Sequence, residues 1–133
     1  MVIDASAVLA VLLGEGDAAF YANAIEDAAD PKMSSVSALE VALVIAARKR
    51  EPELAAWDRS MERSRIRVFP FDQEQLRLAR EAWWKYGKGR HVAGLNLGDC
   101  CSYALAKATG EVLLYKGDDF RKTDIRPMEA RPR

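Results

Sequence analysis

Short apolar runs alternate along this chain with longer stretches in which apolar residues recur every three or four positions. That alternation predicts an α/β domain with a largely parallel central sheet. Met1-Val2-Ile3-Asp4 reads as a first strand, and Ser6 to Leu13 as a helix stopped at Gly14, with Ser6 positioned to satisfy the free backbone donors at its start. A second helix is expected from Asp17 to Ala29, closed by Pro31, and Lys32-Met33-Ser34-Ser35 is a weak second strand. Ser37 to Arg50 carries Leu39, Leu43, Ala46 and Ala47 at helical spacing, with Glu40 inside the helix. Pro52 opens the next helix, through Leu54, Trp57 and Met61, and Ile66 to Pro70 forms a third strand. Asp72-Gln73-Glu74-Gln75 has the form of a capping box and starts a helix through Leu76, Ala79, Trp83 and Tyr86. The glycine-rich interval from Gly87 to Gly94 predicts a mobile loop. Asp99 to Ala108 is the next helix, stopped by Gly110, and Val112 to Tyr115 is a fourth, wholly buried strand. A short strand at Thr123-Asp124-Ile125, flanked by basic residues, is expected at a sheet edge.

Half of the 133 residues are apolar, enough for one domain spanning residues 1–133, with a flexible tail over residues 126–133. Lys plus Arg and Asp plus Glu number 20 each, so no overall basic excess announces nucleic-acid binding, although a balanced charge does not exclude an RNA substrate. The only cysteines, Cys100 and Cys101, are adjacent and read as reduced, helix-borne small apolar residues. The start lacks a basic n-region, and no apolar stretch approaches the ~18 residues needed to cross a bilayer, so a cytoplasmic protein without a membrane partner is expected.

The candidate chemistry lies in carboxylates placed where apolar segments meet turns or polar helix faces: Asp4, Glu40, Asp99 and the pair Asp118-Asp119. In open α/β sheets, ligands bind in the crevice outside the carboxyl ends of the strands, and Asp4 and Asp118 stand at such ends. Two like charges ~4 Å apart cost about 4 kcal/mol at an effective dielectric near 20, so a convergent cluster implies a cation. Hard oxygen donors without histidine or thiolate favour Mg2+, with Mn2+ as a substitute, over zinc, and such an ion supplies an activated water for phosphoryl transfer. Asp4 and Asp99 are assigned direct metal contact, Glu40 a water-activating or second-metal role, and Asp118 or Asp119 the remaining acidic contact. Ser6 and Asn96 stand beside these acids, where they either orient a carboxylate or cap a helix.

Met1-Val2-Ile3-Asp4-Ala5-Ser6-Ala7, Ser37-Ala38-Leu39-Glu40, Leu95-Asn96-Leu97-Gly98-Asp99-Cys100 and Tyr115-Lys116-Gly117-Asp118-Asp119-Phe120-Arg121-Lys122-Thr123-Asp124-Ile125 together resemble the PIN-domain ribonucleases, specifically the VapC toxins of bacterial toxin–antitoxin pairs. The resemblance runs in order through essentially the whole chain. It implies a three-layer α/β/α PIN-like fold, magnesium-dependent cleavage of RNA, a VapB-type antitoxin that blocks the active site, and a homodimer within a toxin–antitoxin hetero-oligomer. By the same resemblance Asp4, Glu40 and Asp99 match the three core acids, and the fourth falls at Asp118 or Asp119.

Taken singly, each acid has a structural explanation: Asp4 and Asp99 as helix caps worth ~1 kcal/mol each, Asp118-Asp119 as turn formers. Glu40, amid Val36, Leu39, Val41 and Val44, fits such an explanation least. His91, the only histidine, sits in a basic loop and reads as solvent-exposed, and Cys100 has no evident neighbouring base. Gly87-x-Gly89 lacks the context of a nucleotide-binding loop. Arg48-Lys49-Arg50, Arg63-x-Arg65-x-Arg67 and Lys85 to Arg90 are basic clusters able to touch phosphates, or simply solvated faces. Trp83-Trp84 suggests one ring packed inward and one available to a partner. Two rival functions are a receiver-like phosphorylation switch, with Asp72 as acceptor, and a catalytically inactive PIN-like interaction module.

Overall fold

The computed structural model describes residues 1–128. Four short strands, β1 (Val2–Ile3), β2 (Lys32–Ser34), β3 (Arg67–Phe69) and β4 (Leu113–Leu114), form an all-parallel sheet in the order β3-β2-β1-β4. Six helices surround it: α1 (Ala5–Leu12), α2 (Ala18–Asp27), α3 (Ser35–Ala47), α4 (Glu51–Arg63), α5 (Gln73–Tyr86) and α6 (Leu97–Thr109). Side chains of successive strand residues leave opposite faces of a sheet. Val2 and Leu113 therefore join one core with α5 and α6, while Ile3, Met33 and Leu114 join another with residues of α1 to α4. The three-layer α/β/α architecture follows from that division.

Helix α6 is buried nearly all round, from Gly98 through Ala106, and its residues there are mostly Gly, Cys, Ser and Ala. Small side chains let α3 and the sheet approach it closely, and the two cysteines serve as packing residues. Gly110 ends the helix at φ 69°, a left-handed position that glycine occupies without steric cost.

Several boundaries move when caps are resolved. Asp4, not Ser6, is the N-cap of α1, accepting a hydrogen bond from the Ser6 amide at 3.0 Å. Ser34 caps α3, which begins at Ser35, and Asn96 caps α6, which begins at Leu97. At Asp72 only half of the expected box forms: its carboxylate accepts from the Gln75 amide, while the Gln75 side chain turns to the Pro70 carbonyl. The expected edge strand at Thr123–Ile125 is absent. A 3-10 turn over Phe120–Lys122 aims Phe120 and Ile125 into the core instead, and an isolated bridge pairs Leu113 with Pro127. Hydrogen bonds from Leu113 N to Arg126 O and from Met128 N to Leu113 O tie down the first residues of the expected tail. The remainder, 129–133, lies outside the described residues. The glycine-rich interval is a hydrogen-bonded turn rather than an open loop, closed by Lys88 N to Leu95 O and Leu95 N to Tyr86 O, each 2.9 Å.

At the amino end of the sheet, charges are compensated. The buried Lys32 ammonium meets Asp30 and Glu111, Glu111 also receives the Met1 ammonium, and Arg67 donates twice to Asp30 at 2.8 Å. The bonds from Arg67 and Lys32 hold the Asp30 carboxyl well below the usual carboxylate range.

Candidate active site

The carboxyl end of the sheet has the opposite character. Chain direction places Asp4 immediately after β1, where it is buried, with 3% of its surface exposed. Its Oδ2 accepts from the Ser6 amide and from the Ser6 hydroxyl at 2.6 Å, and Oδ1 accepts from the Ser102 hydroxyl at 2.5 Å. Ser102 lies on α6 and meets Ser37 of α3, oxygen to oxygen, at 3.0 Å; both serines are fully buried. Ser102 commits its single hydroxyl proton to Asp4, so Ser37 donates to Ser102. The Ser6 hydroxyl in turn accepts from the Lys116 amide at 3.0 Å, so hydroxyls and amides from α1, α3, α6 and the segment after β4 converge on one carboxylate.

Asp99 sits in the first turn of α6. Its Oδ2 accepts from the Asn96 amide at 3.1 Å while the Asn96 side chain accepts from the Asp99 amide at 2.9 Å, a reciprocal capping box. Burial pushes the Asp99 carboxyl up to about 7; the Asn96 hydrogen bond opposes that rise, and the charges of Asp4, Asp119 and Glu40 add to it. Glu40, half-buried on α3, is raised first by burial and then by Asp4. Its carboxylate lies against Gly98, where a Cβ would fall 2.9 Å from both Cδ and Oε1 of Glu40 and closer still to Oε2. Gly98 is therefore the notch that admits Glu40 beside Asp99.

The structure thus brings Asp4, Glu40 and Asp99 together, with Asp119 at the margin. Asp118 stands apart, exposed and 3.8 Å from Arg121, and contributes to the field at Tyr115 rather than at Asp99. The nearby Lys116 ammonium turns away to Glu15 and Asp17. Neighbouring acids raise both Glu40 and Asp99, so the set carries a negative field that a divalent cation would neutralise. Among the described residues no three His, Cys, Asp or Glu side chains form a ready ligand set.

Ser37, Ser102 and Gly98 were not apparent as site residues from the sequence. Their signal was spacing: Ser37 precedes Glu40 by three positions and Ser102 follows Asp99 by three, the separation that puts two side chains on one helix face. Other candidates fall elsewhere. Cys100 and Cys101 are buried, which pushes their thiols up to about 12 and about 11, so neither offers a thiolate nucleophile. His91 is exposed and accepts from the Ala93 amide through Nδ1, and Asp72 is spent as a cap. Arg50 pairs with Glu53, and Arg65 and Arg67 serve the Ala28 carbonyl and Asp30. Neither Trp83 nor Trp84 packs inward, because both remain exposed. Within the described residues no helix is long and apolar enough to cross a membrane.

Known proteins resemble this chain along nearly its whole length. The PIN domain family model matches residues 1–126. A ribonuclease VapC of Mycolicibacterium smegmatis is 47% identical over 125 residues, covering 94% of this chain and 97% of that protein. The crystal structure of Mycobacterium tuberculosis VapC20, a sarcin–ricin loop cleaving toxin, superposes with a TM-score of 0.78 at 16% identity, covering 98% of each chain. A toxin–antitoxin complex from Klebsiella pneumoniae gives a TM-score of 0.69 at 16% identity, covering 97% of this chain and 98% of that one. Identity near one half along almost the full length of two chains reflects common descent rather than a shared local motif, and this chain belongs to the PIN-domain family as one of its VapC ribonucleases.

Proposed function

We propose that this VapC-family chain is the toxin of a toxin–antitoxin pair and hydrolyses RNA phosphodiester bonds with Mg2+, for which Mn2+ substitutes. The observation that carries the reading is the convergence of Asp4, Glu40 and Asp99 at the carboxyl end of a parallel sheet, where the acids raise one another. Asp4 and Asp99 would hold the ion, Asp4 fixed in orientation by Ser6 and Ser102 and Asp99 by its cap. When bound, the ion supplies acidity to a water and offsets the phosphodiester charge. Glu40, raised by burial, is suited to take the proton of the attacking water as the new P–O bond forms. The bond to the departing ribose oxygen breaks, and that oxygen takes a proton from solvent. Asp119 supports the fourth acidic position better than Asp118, since Asp119 acts on Asp99 by charge.

The same end of the molecule fits an antitoxin. Leu39, Leu43 and Leu97 are more than half exposed and are borne on the helices that carry Glu40 and Asp99. An apolar antitoxin helix bearing an arginine would cover these leucines and neutralise the acids. A cytoplasmic homodimer, joined to that antitoxin, completes the reading.

Cleavage of labelled RNA, with and without a chelator, tests the proposal. Magnesium-dependent cleavage is expected, lost in Asp4→Asn and Asp99→Asn with the fold intact, and reduced more by Asp119→Asn than by Asp118→Asn. Cleavage that persists in chelator, or survives at the parental rate in Asp4→Asn, overturns it.

A further inference from the structure

Beyond the acids, the most unusual surface lies where α5 ends. Trp84 is 67% exposed and Trp83 41%, a large indole area to leave in water. Arg90, from the turn that follows, places its guanidinium carbon 3.9 Å from the centroid of the Trp84 ring and 4.8 Å from that of Trp83. Its Nε donates to the Trp84 carbonyl at 3.3 Å, which leaves the remaining guanidinium N–H groups for another acceptor. Lys85 and Lys88 are exposed beside it, as is Arg80 one turn back along α5. Glu81 is the nearest acid on this part of the helix, and it is engaged by Arg77 at 2.7 Å, the one ion pair on α5 among the described residues.

This surface is joined to the acidic crevice by main chain. The Gly87–Leu95 bridge fastens the turn that carries Lys88 and Arg90, Gly87 packs on the Trp83 ring, and the residue after Leu95 is Asn96, the cap that grips Asp99. An aromatic and cationic platform is thus held at the threshold of the helix bearing Asp99.

The geometry points to Trp84, Arg90, Lys85 and Lys88 as a single-stranded RNA platform, which stacks a base on Trp84 and holds flanking phosphates while the scissile bond lies at the acids. Exposed π faces among cations are the chemistry by which proteins grip single strands without reading sequence. Charge complementarity favours RNA over a second protein chain as occupant, since the cations left without carboxylate partners here would need acids that a nucleic acid supplies at every nucleotide. The inference rests on the ribonuclease reading for its catalytic consequence but not for its binding test.

Binding of a fluorescein-labelled, 2′-O-methyl single-stranded 12-mer to the full chain in chelator measures the platform without cleavage. Trp84→Ala is expected to weaken binding about 10-fold or more, and Trp84→Phe to retain most of it. Replacing Lys85 and Lys88 by Gln should lower the slope of log affinity against log salt by ~0.7 per lost phosphate contact. In the cleavage assay Trp84→Ala should raise KM with kcat unchanged. Unaltered affinity in both Trp84→Ala and Arg90→Gln, each with parental thermal unfolding, overturns the platform. So does a fall in molecular mass by light scattering in Trp84→Ala with RNA affinity preserved, which would assign the surface to a protein interface. If the parent binds the 12-mer and the variants do not, yet no RNA is cut, the platform stands and the catalytic reading fails.

Discussion

Substituting Gly98 by Ala separates the stability of this fold from its chemistry. Gly98 lies inside the first turn of α6, with helical neighbours, so alanine is favoured there by up to about 1 kcal/mol in intrinsic propensity. The atoms nearest the new methyl group would be the far end of the Glu40 side chain, 2.9 Å away at Cδ and Oε1. Moving that tip into another orientation costs on the order of 0.5–1.5 kcal/mol if the rotamer is strained, so the two effects nearly cancel. The melting temperature should then stay within about 4 °C of the parent. Catalysis should not, because a carboxylate displaced by ~1 Å from its working position forfeits on the order of 100-fold in rate. Turnover of a fluorogenic RNA, measured beside calorimetric unfolding, reads both quantities. A double-mutant cycle with Glu40→Gln isolates the cause: once Glu40 is neutral, adding Gly98→Ala should cost little more. Parental turnover in Gly98→Ala, or a loss that adds in full to that of Glu40→Gln, would refute the notch.

The serine relay gives a second expectation. Ser102→Ala removes the donor to Asp4 Oδ1 and strands the buried Ser37 hydroxyl, so chemical denaturation should show a loss of ~1–3 kcal/mol and Mn2+ titration a 10- to 100-fold weaker affinity. Ser37→Ala leaves the bond to Asp4 in place and should be milder on both measures; the reverse order would contradict the direction of donation. A third expectation concerns pH in the metal-free protein. Asp99, at about 7 when folded against 3.8 for an ordinary aspartate, binds more protons folded than unfolded between those values, and Glu40, also raised by burial, acts in the same direction. Stability should therefore fall as pH rises from about 4 to 7. Asp30, Glu111 and Asp124 are lowered by their cationic partners and have the opposite sign, losing their contribution as pH drops below their unfolded values. Urea midpoints in chelator should peak in the mildly acidic range, and Asp99→Asn should flatten the neutral side; an unchanged decline in that variant would assign it to another group.

The sheet and its helices were legible because strand and helix periods are local, whereas the caps shifted the helix starts to Asp4, Ser34 and Asn96. The acids Asp4, Glu40 and Asp99 were legible only as an ordered set, since Asp4 and Asp99 each also take part in a helix cap and Glu40 alone fits no such role. What eluded the sequence depends on contacts between distant segments. Ser102 looks like one more small residue in a packed helix until α3 brings Ser37 to it and β1 brings Asp4. Thr123–Ile125 has strand composition, but the pull of Phe120 and Ile125 into the core turns that segment aside before it can pair. Asp118 and Asp119 are indistinguishable by spacing, and only the 3-10 turn separates their fields.

The capping box at Asp99 binds two kinds of selection to one side chain. Oδ2 holds the start of α6 through the Asn96 amide, whereas Glu40 accepts no hydrogen bond among the described residues. A lineage that abandoned nuclease activity would thus shed Glu40 freely but keep an acceptor at position 99 to start its central helix. Degenerate descendants should retain the aspartate, or an asparagine in its place, long after the glutamate has drifted, so survival of that one acid is poor testimony that a related chain still cuts RNA.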